Sequence, residues 1–355
     1  MLFVATHEEK QLIEDDSEKI HSKDDNPFSS ENGQKTMRVH YIDVGQGDAT
    51  LIELDGFSML IDAGNWKSKE VVGYLKQQNL KELDVVVGTH PDADHIGQLA
   101  QVVGEFDVGE VWMSGNTSTS ATFTNALQAI EASETDYVEP RTGEVYDVGS
   151  LEITVLHPMK ITGDPNEESV SLKITYGDID FIFTGDAGVK EEQEMIDTQI
   201  ELDAEILHLG HHGSNTSSGA AFLQAVTPEV AIYSAGIDNS YGHPHAEVIA
   251  AVENAGAEIY GTDVNGTILI ETNGEVYHVQ TQQKGVPTEG QNRCIDINIA
   301  SSAELQELEG IGKTYAQEII DQRPFERLED LSNIKGIGQG TVAEIQEQGL
   351  ACIGG

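Results

Sequence analysis

Leu83-Asp84-Val85-Val86-Val87-Gly88-Thr89-His90-Pro91-Asp92-Ala93-Asp94-His95 joins two signals. The first half is a short apolar run that reads as a strand. The second half carries four metal-capable side chains within six residues: His90, Asp92, Asp94 and His95. Two carboxylates and two imidazoles converge on one loop only if their charge is compensated, and a divalent cation is the natural compensation. A solvated acidic turn would account for Asp92 and Asp94 but leaves the flanking histidines unexplained.

Around this loop the apolar periodicity predicts strands at 38–43, 49–54, 58–61, 110–113, 151–156, 170–176, 179–184, 206–209, 230–234, 259–260 and 267–272. Helical periodicity falls at 68–78, 96–103, 121–132, 189–198, 220–225 and 245–255. Strands interleaved with helices argue for an α/β fold of layered sheets flanked by helices. Two further clusters follow predicted strands: Asp186 in Thr184-Gly185-Asp186, and His211-His212 in Gly210-His211-His212-Gly213-Ser214. Strand-end loops of one sheet scaffold can assemble a single site.

These motifs resemble the metallo-β-lactamase superfamily, whose signature is His-x-His-x-Asp-His with a later bridging Asp and a later His. The chain carries Asp92 where the signature has its second His. That departure is similar to one branch, the C-terminal hydrolase domain of the ComEC-type competence DNA-uptake channels. The resemblance runs from about residue 37 to 279, through His40-Tyr41-Ile42-Asp43-Val44-Gly45-Gln46-Gly47-Asp48-Ala49, Leu60-Ile61-Asp62-Ala63-Gly64, residues 166–169, Phe183-Thr184-Gly185-Asp186 and residues 239–244. It implies a four-layer αββα fold and two divalent ions, Mn²⁺ or Zn²⁺. His90 and Asp92 would hold one, Asp94 and His95 the other, with Asp186 between them. His212 would complete the ligand set of the second metal, His211 being the second choice, and His157 would stand where the superfamily often has a further His ligand.

An oxygen-rich donor set shifts preference from zinc towards manganese. Two ions about 4 Å apart would clamp an in-line displacement at phosphorus, which suits phosphodiester cleavage. His243, on the loop after strand 230–234, is the candidate to donate a proton to the leaving oxygen or to bind the phosphate. Asp48 and Asp62 are candidates to orient a ligand from behind, and Asn166, Ser169 and Asn239 for substrate contact.

The chain has 355 residues, 62 Asp+Glu against 19 Lys+Arg, and a formal net charge of −43. With 38% hydrophobic residues it is not a disordered polyanion. Divided along the chain, the charge is −5 over 1–36, −32 over 37–290 and −6 over 291–355. Such an excess suits hydration in strong brine, where electrostatic screening is short. No apolar run approaches the ~20 residues of a membrane-spanning helix, so membrane insertion is not expected. Residues 1–36 read as an acidic leader, 37–280 as the hydrolase domain, 281–293 as a linker and 294–355 as a small helical domain. Met1-Leu2-Phe3-Val4-Ala5 is too short for a signal peptide and reads as the stub of one. Cys294 and Cys352 bracket the last segment. Bridged, they would close 58 residues and contribute about 4 kcal/mol in an oxidising compartment, which points to an extracellular or cell-surface location.

The tail repeats itself: Gly310-Ile311-Gly312 recurs 26 residues later as Gly336-Ile337-Gly338. It resembles the tandem helix-hairpin-helix domain of ComEA-type competence receptors, which binds DNA without regard to sequence. Glycines let the backbone approach a phosphate, helix N-terminal amides point at it, and Lys313 adds a cation beside the first hairpin. Gly310-Ile311-Gly312-Lys313-Thr314 is not a P-loop, because Glu307 stands where that motif needs Gly. The expected activity is therefore a metal-dependent DNA phosphodiesterase, with DNA and a DNA-uptake machinery as partners. A hydrolase of small phosphoesters or amides, and a non-catalytic DNA receptor, are the alternatives the sequence leaves open.

Overall fold

The computed structural model describes residues 35–237, 239–287, 295–298, 300, 302–306, 308–325, 327–348 and 351–352. The leader up to residue 34 and Cys294 lie outside the described residues, as does the side chain of Cys352, so the leader and the disulfide pairing stand as expectations from the sequence.

Among the described residues fifteen strands precede the tail: β1 (Met37–Tyr41), β2 (Thr50–Leu54), β3 (Phe57–Ile61), β4 (Glu82–Gly88), β5 (Asp107–Met113), β6 (Asp136–Val138), β7 (Val145–Val148), β8 (Leu151–His157), β9 (Ser171–Tyr176), β10 (Ile179–Phe183), β11 (Ile206–His208), β12 (Val230–Tyr233), β13 (Glu258–Gly261), β14 (Ile268–Thr272) and β15 (Tyr277–Thr281). The helices among them are α1 (Glu70–Gln77), α2 (Leu99–Glu105), α3 (Ala121–Ala132), α4 (Val189–Asp197), α5 (Ala220–Val226), α6 (Ala246–Ala255) and the single turn α7 (Thr262–Asn265). The strands form an eight-stranded sheet, β15-β14-β1-β2-β3-β4-β5-β6, and a seven-stranded one, β13-β12-β11-β10-β9-β8-β7.

The residues of β4 show why the layers form. Val85 and Val87 belong to the core cluster shared by both sheets, which also holds Tyr41, Phe181 and Ile232. Val86, on the other face, belongs to a second cluster with Val71 and Leu75 of α1, Leu99 of α2 and Phe123 of α3. A strand buried on both faces therefore reads as an unbroken apolar run. The second sheet repeats the arrangement: Ile206 faces the shared core, while Leu207 joins Met195 of α4, Phe222 of α5 and Val248 of α6. Helices, sheet, sheet, helices is the expected αββα order.

Three strands escape the sequence reading. β6 is only three residues long. β7 and β15 end their sheets, and their residues are half-buried or exposed, so neither carries a strong apolar signal. The helix expected at 96–103 starts three residues later. The amides of His95 and Ile96 are held by the Asp92 carbonyl at 3.1 and 2.9 Å, which keeps them in the preceding loop.

The tail has its own core, in which Ile297, Leu305, Ile311, Ile319, Leu331, Ile337 and Ile345 are buried. It is not wholly helical, as the pattern suggested: β16 (Ile295–Asp296) pairs in parallel with β17 (Ala351–Cys352) and joins its two ends. Between them lie α8 (Ser302–Leu305), α9 (Lys313–Asp321), a 3₁₀ turn (Leu328–Asn333) and α10 (Gln339–Gln348). Gly310 and Gly336 have φ of +71° and +106°, a region that favours glycine. A Cβ on Gly310 would lie 2.8 Å from Thr341 Cγ2 in α10, and one on Gly336 2.5 Å from Tyr315 Oη in α9. Each hairpin thus closes against the helix of the other repeat. Arg323 donates to the carbonyls of Ile297 and Ala300 at 2.6 and 2.5 Å, which spends its guanidinium inside the tail.

Candidate metal centre

The loops after β1, β3, β4, β10, β11 and β12 bring their acidic and imidazole groups together. Asp62, with φ of +61°, follows β3. Its carboxylate accepts hydrogen bonds of 2.8 Å from the Thr89 amide, the Thr89 hydroxyl and His95 Nδ1. This pins the start of the loop after β4 and leaves His95 Nε2 aimed at Asp186 Oδ1, 3.2 Å away. Asp48 follows β1 on a turn where a Cβ at Gly47 would sit 2.5 Å from the Asp94 carbonyl oxygen, the same oxygen that accepts from the Asp48 amide at 3.0 Å.

The tautomers follow from the partners. Ser169 Oγ donates to the Asn166 carbonyl at 2.7 Å and accepts from the Asp186 amide at 3.1 Å. Its remaining contact, His90 Nδ1 at 3.2 Å, must therefore be an N–H that it accepts. His212 Nδ1 faces the Ser234 carbonyl at 2.9 Å, which only accepts. His90, His95 and His212 all spend Nδ1–H outward, which leaves Nε2 as the atom turned to the centre, where it would give its lone pair to a metal in place of a proton.

These three Nε2 atoms, Asp186 Oδ1 and Asp48 Oδ1 are buried and without a hydrogen-bond partner among the described residues. Buried polar atoms are normally paired, and a cluster of orphans on one point is what a bound cation would satisfy. Asp48, His95, Asp186 and His212 each offer an atom within 4.8 Å of the others. The donor set fits a divalent metal. Asp186 divides it: Oδ1 meets His95 Nε2, while Oδ2 lies 3.7 Å from His90 Nε2 and 3.5 Å from His211 Nε2. Asp92 reaches His90 Nε2 at 3.9 Å, and Asp94 reaches His212 Nε2 at 3.4 Å.

The field is strong. Burial opposes charge on His95, yet Asp186 and Asp62 on either side raise it well above the ordinary imidazole range. Burial likewise opposes charge on His212, but Asp48 and Asp94 lift it to about 9. Asp186, though buried, is held well below the usual carboxylate range by His95 and His90. Burial brings His90 and His243 down to about 3, with neighbouring imidazoles adding to the effect. His211 and His212 both take left-handed backbone, φ +50° and +58°, a strained pair of the kind that gathers at functional sites.

Several sequence expectations find different places. Asp48 lies behind two imidazoles as expected, its Oδ2 3.8 Å from Nδ1 of both His95 and His212, but its Oδ1 also belongs to the unpaired donor cluster. Ser169 is fully buried and spent on His90, Asn166 and Asp186, not on substrate. Asn239 is equally committed, accepting from the amides of Tyr241 and His243 and donating to the carbonyls of Gly236 and His243. Asn166 does reach the centre, with Nδ2 3.5 Å from Asp186 Oδ2. His157 stands apart: its Nδ1 meets the Ser169 carbonyl at 3.2 Å, and it lines a separate small cavity with Lys160, Glu167, Glu191 and Glu194. His243 keeps a buried Nδ1 without a partner and stacks on Tyr241 and His212, with ring centroids 5.7 and 6.1 Å apart.

Sequence reasoning missed His208 and Ser234. His208 Nε2 meets Ser234 Oγ at 3.0 Å and Asp48 Oδ1 at 3.5 Å. A single histidine inside a predicted strand gives no sign of this; the only cue is that it lies three residues before His211.

Residues 42–237 match the model of the metallo-β-lactamase superfamily, and residues 290–348 match a helix-hairpin-helix motif. The chain is 30% identical over 264 residues to ComE operon protein 3 of Bacillus subtilis (strain 168), covering 68% of this chain and 33% of that protein. It is 30% identical over 229 residues to competence protein ComA of Neisseria gonorrhoeae, covering 64% and 31%. The chain spans about a third of the length of these relatives. A 60-residue stretch is 48% identical to a deoxyribonuclease of Thioalkalivibrio sp. (strain K90mix), covering 17% of each. No helix among the described residues is long and apolar enough to cross a membrane. With more than half its length matching the family model and the metal-binding loop in place but for Asp92 where the signature has its second His, the chain belongs to the metallo-β-lactamase superfamily, and carries a helix-hairpin-helix motif behind that domain.

Proposed function

We propose that the protein is a metal-dependent phosphodiesterase that cleaves DNA, with the helix-hairpin-helix tail holding the polymer. The observation that carries this is Asp186, whose two carboxylate oxygens face two separate groups of donors inside a nest of unpaired Nε2 atoms. His90, Asp92 and Asp186 Oδ2 form one group; Asp94, His95, His212 and Asp186 Oδ1 form the other. Divalent ions so held supply Lewis acidity at phosphorus and acidify a water. Asp62, Ser169 and the Ser234 carbonyl fix the imidazole tautomers. His243, neutral because of burial and its histidine neighbours, suits hydrogen bonding to a phosphate oxygen through Nδ1–H better than full proton transfer.

The tail supports the polymeric substrate. Gly312 and Gly338 are exposed beside buried Ile311 and Ile337, with open space above both glycines. Gly312 caps α9, and α10 begins at Gln339, so a helix N-terminus follows each exposed glycine. The relatives named for competence, and the one named deoxyribonuclease, agree with a DNA substrate. The net charge of −43 favours work at high salt, and Cys294 and Cys352, if bridged, favour an oxidising place outside the cell or at its surface.

Cleavage of linear and circular DNA with Mn²⁺ or Zn²⁺ across a salt series tests the reading, with His90→Ala and Asp186→Ala as controls. Metal-dependent cutting lost in both variants supports it. DNA bound but never cut under any metal or salt overturns it in favour of a receptor.

A further inference from the structure

Beside the metal centre lies a cavity of about 290 Å³ whose lining includes Gln46, Trp66, Lys67, Asp92, Asp94 and Tyr241. The two aspartates are shared with the centre, so whatever is held there by a phosphate has its next chemical group in this space. Two features of the cavity are out of keeping with an ordinary acidic surface.

The first is aromatic. Trp66 and Tyr241 are 48% and 49% exposed, although the fold buries its other tryptophan, Trp112, to 2%. Neither ring sits on loose chain. Asn65 donates to the Gln46 carbonyl at 2.8 Å and accepts from the Lys67 amide at 2.7 Å, fixing the turn that carries Trp66. Tyr241 stacks on His243 at an interplanar angle of 22°, and its amide is held by Asn239 at 3.2 Å. Lys67 Nζ lies over the Trp66 ring, 4.8 Å from its centroid, so a cation already sits on one face of the indole.

The second is polar. Gln46 Oε1 accepts from the Gly236 amide at 3.1 Å, which sets the orientation of the amide group. Its Nε2 is buried and has no acceptor among the described residues. The cavity thus offers a flat π-face, a cation, an unspent amide donor and a neighbouring metal-binding carboxylate pair.

We propose that this cavity is a nucleobase subsite: the base next to the scissile phosphate of a single strand stacks on Trp66, with Tyr241 completing the aromatic lining, Gln46 Nε2 donating to a base or sugar acceptor and Lys67 facing the adjoining phosphate. The proposal rests on the phosphodiesterase reading and adds its substrate class. Stacking on a protein ring requires a base released from its own neighbours, so this subsite takes unpaired bases and not the paired bases of a duplex. Every base has a π-face, so the subsite tolerates sequence while requiring a base.

The test is a cycle of two deletions. Cleavage by the wild type and by Trp66→Ala is measured on an oligothymidylate and on a strand of the same length whose residues lack bases. Stacking of one base is worth about 1–3 kcal/mol, or about 5- to 150-fold. Removing the ring and removing the base are each expected to cost such a factor in kcat/KM, chiefly through KM, and the two losses do not add. Trp66→Phe restores most of the loss. Additive losses, or a Trp66→Ala enzyme that still prefers base-bearing strands as strongly as the wild type, overturn the subsite.

Fluorescence keeps the test independent of cutting. With Trp112 buried, quenching on adding oligothymidylate to metal-free protein at constant salt reports Trp66. Quenching that the abasic strand does not produce supports the subsite even if no DNA is cut under any metal. Equal or absent quenching with both strands overturns it even if the enzyme proves to be a nuclease.

Discussion

Asp186 Oδ1 and His95 Nε2 face each other at 3.2 Å, and neither has a hydrogen-bond partner among the described residues. Both groups are buried, and they come from loops after β10 and β4, strands of different sheets. The contact therefore couples the two halves of the sandwich through charge, and a cation seated there ties the sheets together.

Metal should accordingly stabilise the fold. At a free concentration 100 times Kd, one site adds about 2.7 kcal/mol. Differential scanning calorimetry is expected to show Tm rising with Mn²⁺ or Zn²⁺ and falling on chelation, with little response in Asp186→Ala.

Asp62 touches His95 from behind and is expected to act on affinity. In Asp62→Asn the bond to His95 Nδ1 loses its charge, and the Thr89 hydroxyl and amide must rearrange around an amide group. Metal affinity should drop about 10- to 100-fold while the ligand set remains, as isothermal titration would show.

Glu168 supplies a pH dependence away from the metal ligands. Burial opposes its charge, but Thr162, Asn116 and Gly163 donate to the carboxylate and bring it down to about 2. A carboxylate depressed in the folded state contributes stability that is full above its unfolded value, about 4.5, and lost as pH falls towards about 2. Urea midpoints of Glu168→Gln should be lower than wild type at neutral pH and fall less over that acid window.

Lys313 is exposed at the first turn of α9. If it neutralises one phosphate, Lys313→Ala weakens DNA binding without changing sequence preference. The slope of log K against log salt should become shallower by about 0.7 on a single strand, or about 0.9 on duplex.

The residues that chemistry singles out were legible because their types are costly anywhere else: His90, Asp92, Asp94, His95, Asp186 and His212 all reach the centre the sequence suggested. Residues acting through others were not. Ser169 and Asn239 are small polar groups near a site, and only the hydrogen bonds that occupy them distinguish a brace from a substrate contact. His157 shows the limit of position: it ends a strand as a ligand would, but β8 lies two places from β10, and its ring bonds to the Ser169 carbonyl instead. Trp66 had no signal at all, since an exposed aromatic is visible only once the surface exists.

Tyr315 and Thr341 are 26 residues apart, the same offset that separates Gly310 from Gly336. Each turn of the tail is thus completed by its counterpart, in the manner of an exchanged pair fused into one chain. Half of it is not a smaller version of the whole: losing one repeat uncovers the glycine of the other. The arrangement also fixes the separation of the two exposed turns, so a ligand gripping both must present its anionic groups at that spacing. If the tail grips DNA as proposed, it would work as a gauge of distance along a backbone, indifferent to the letters it carries.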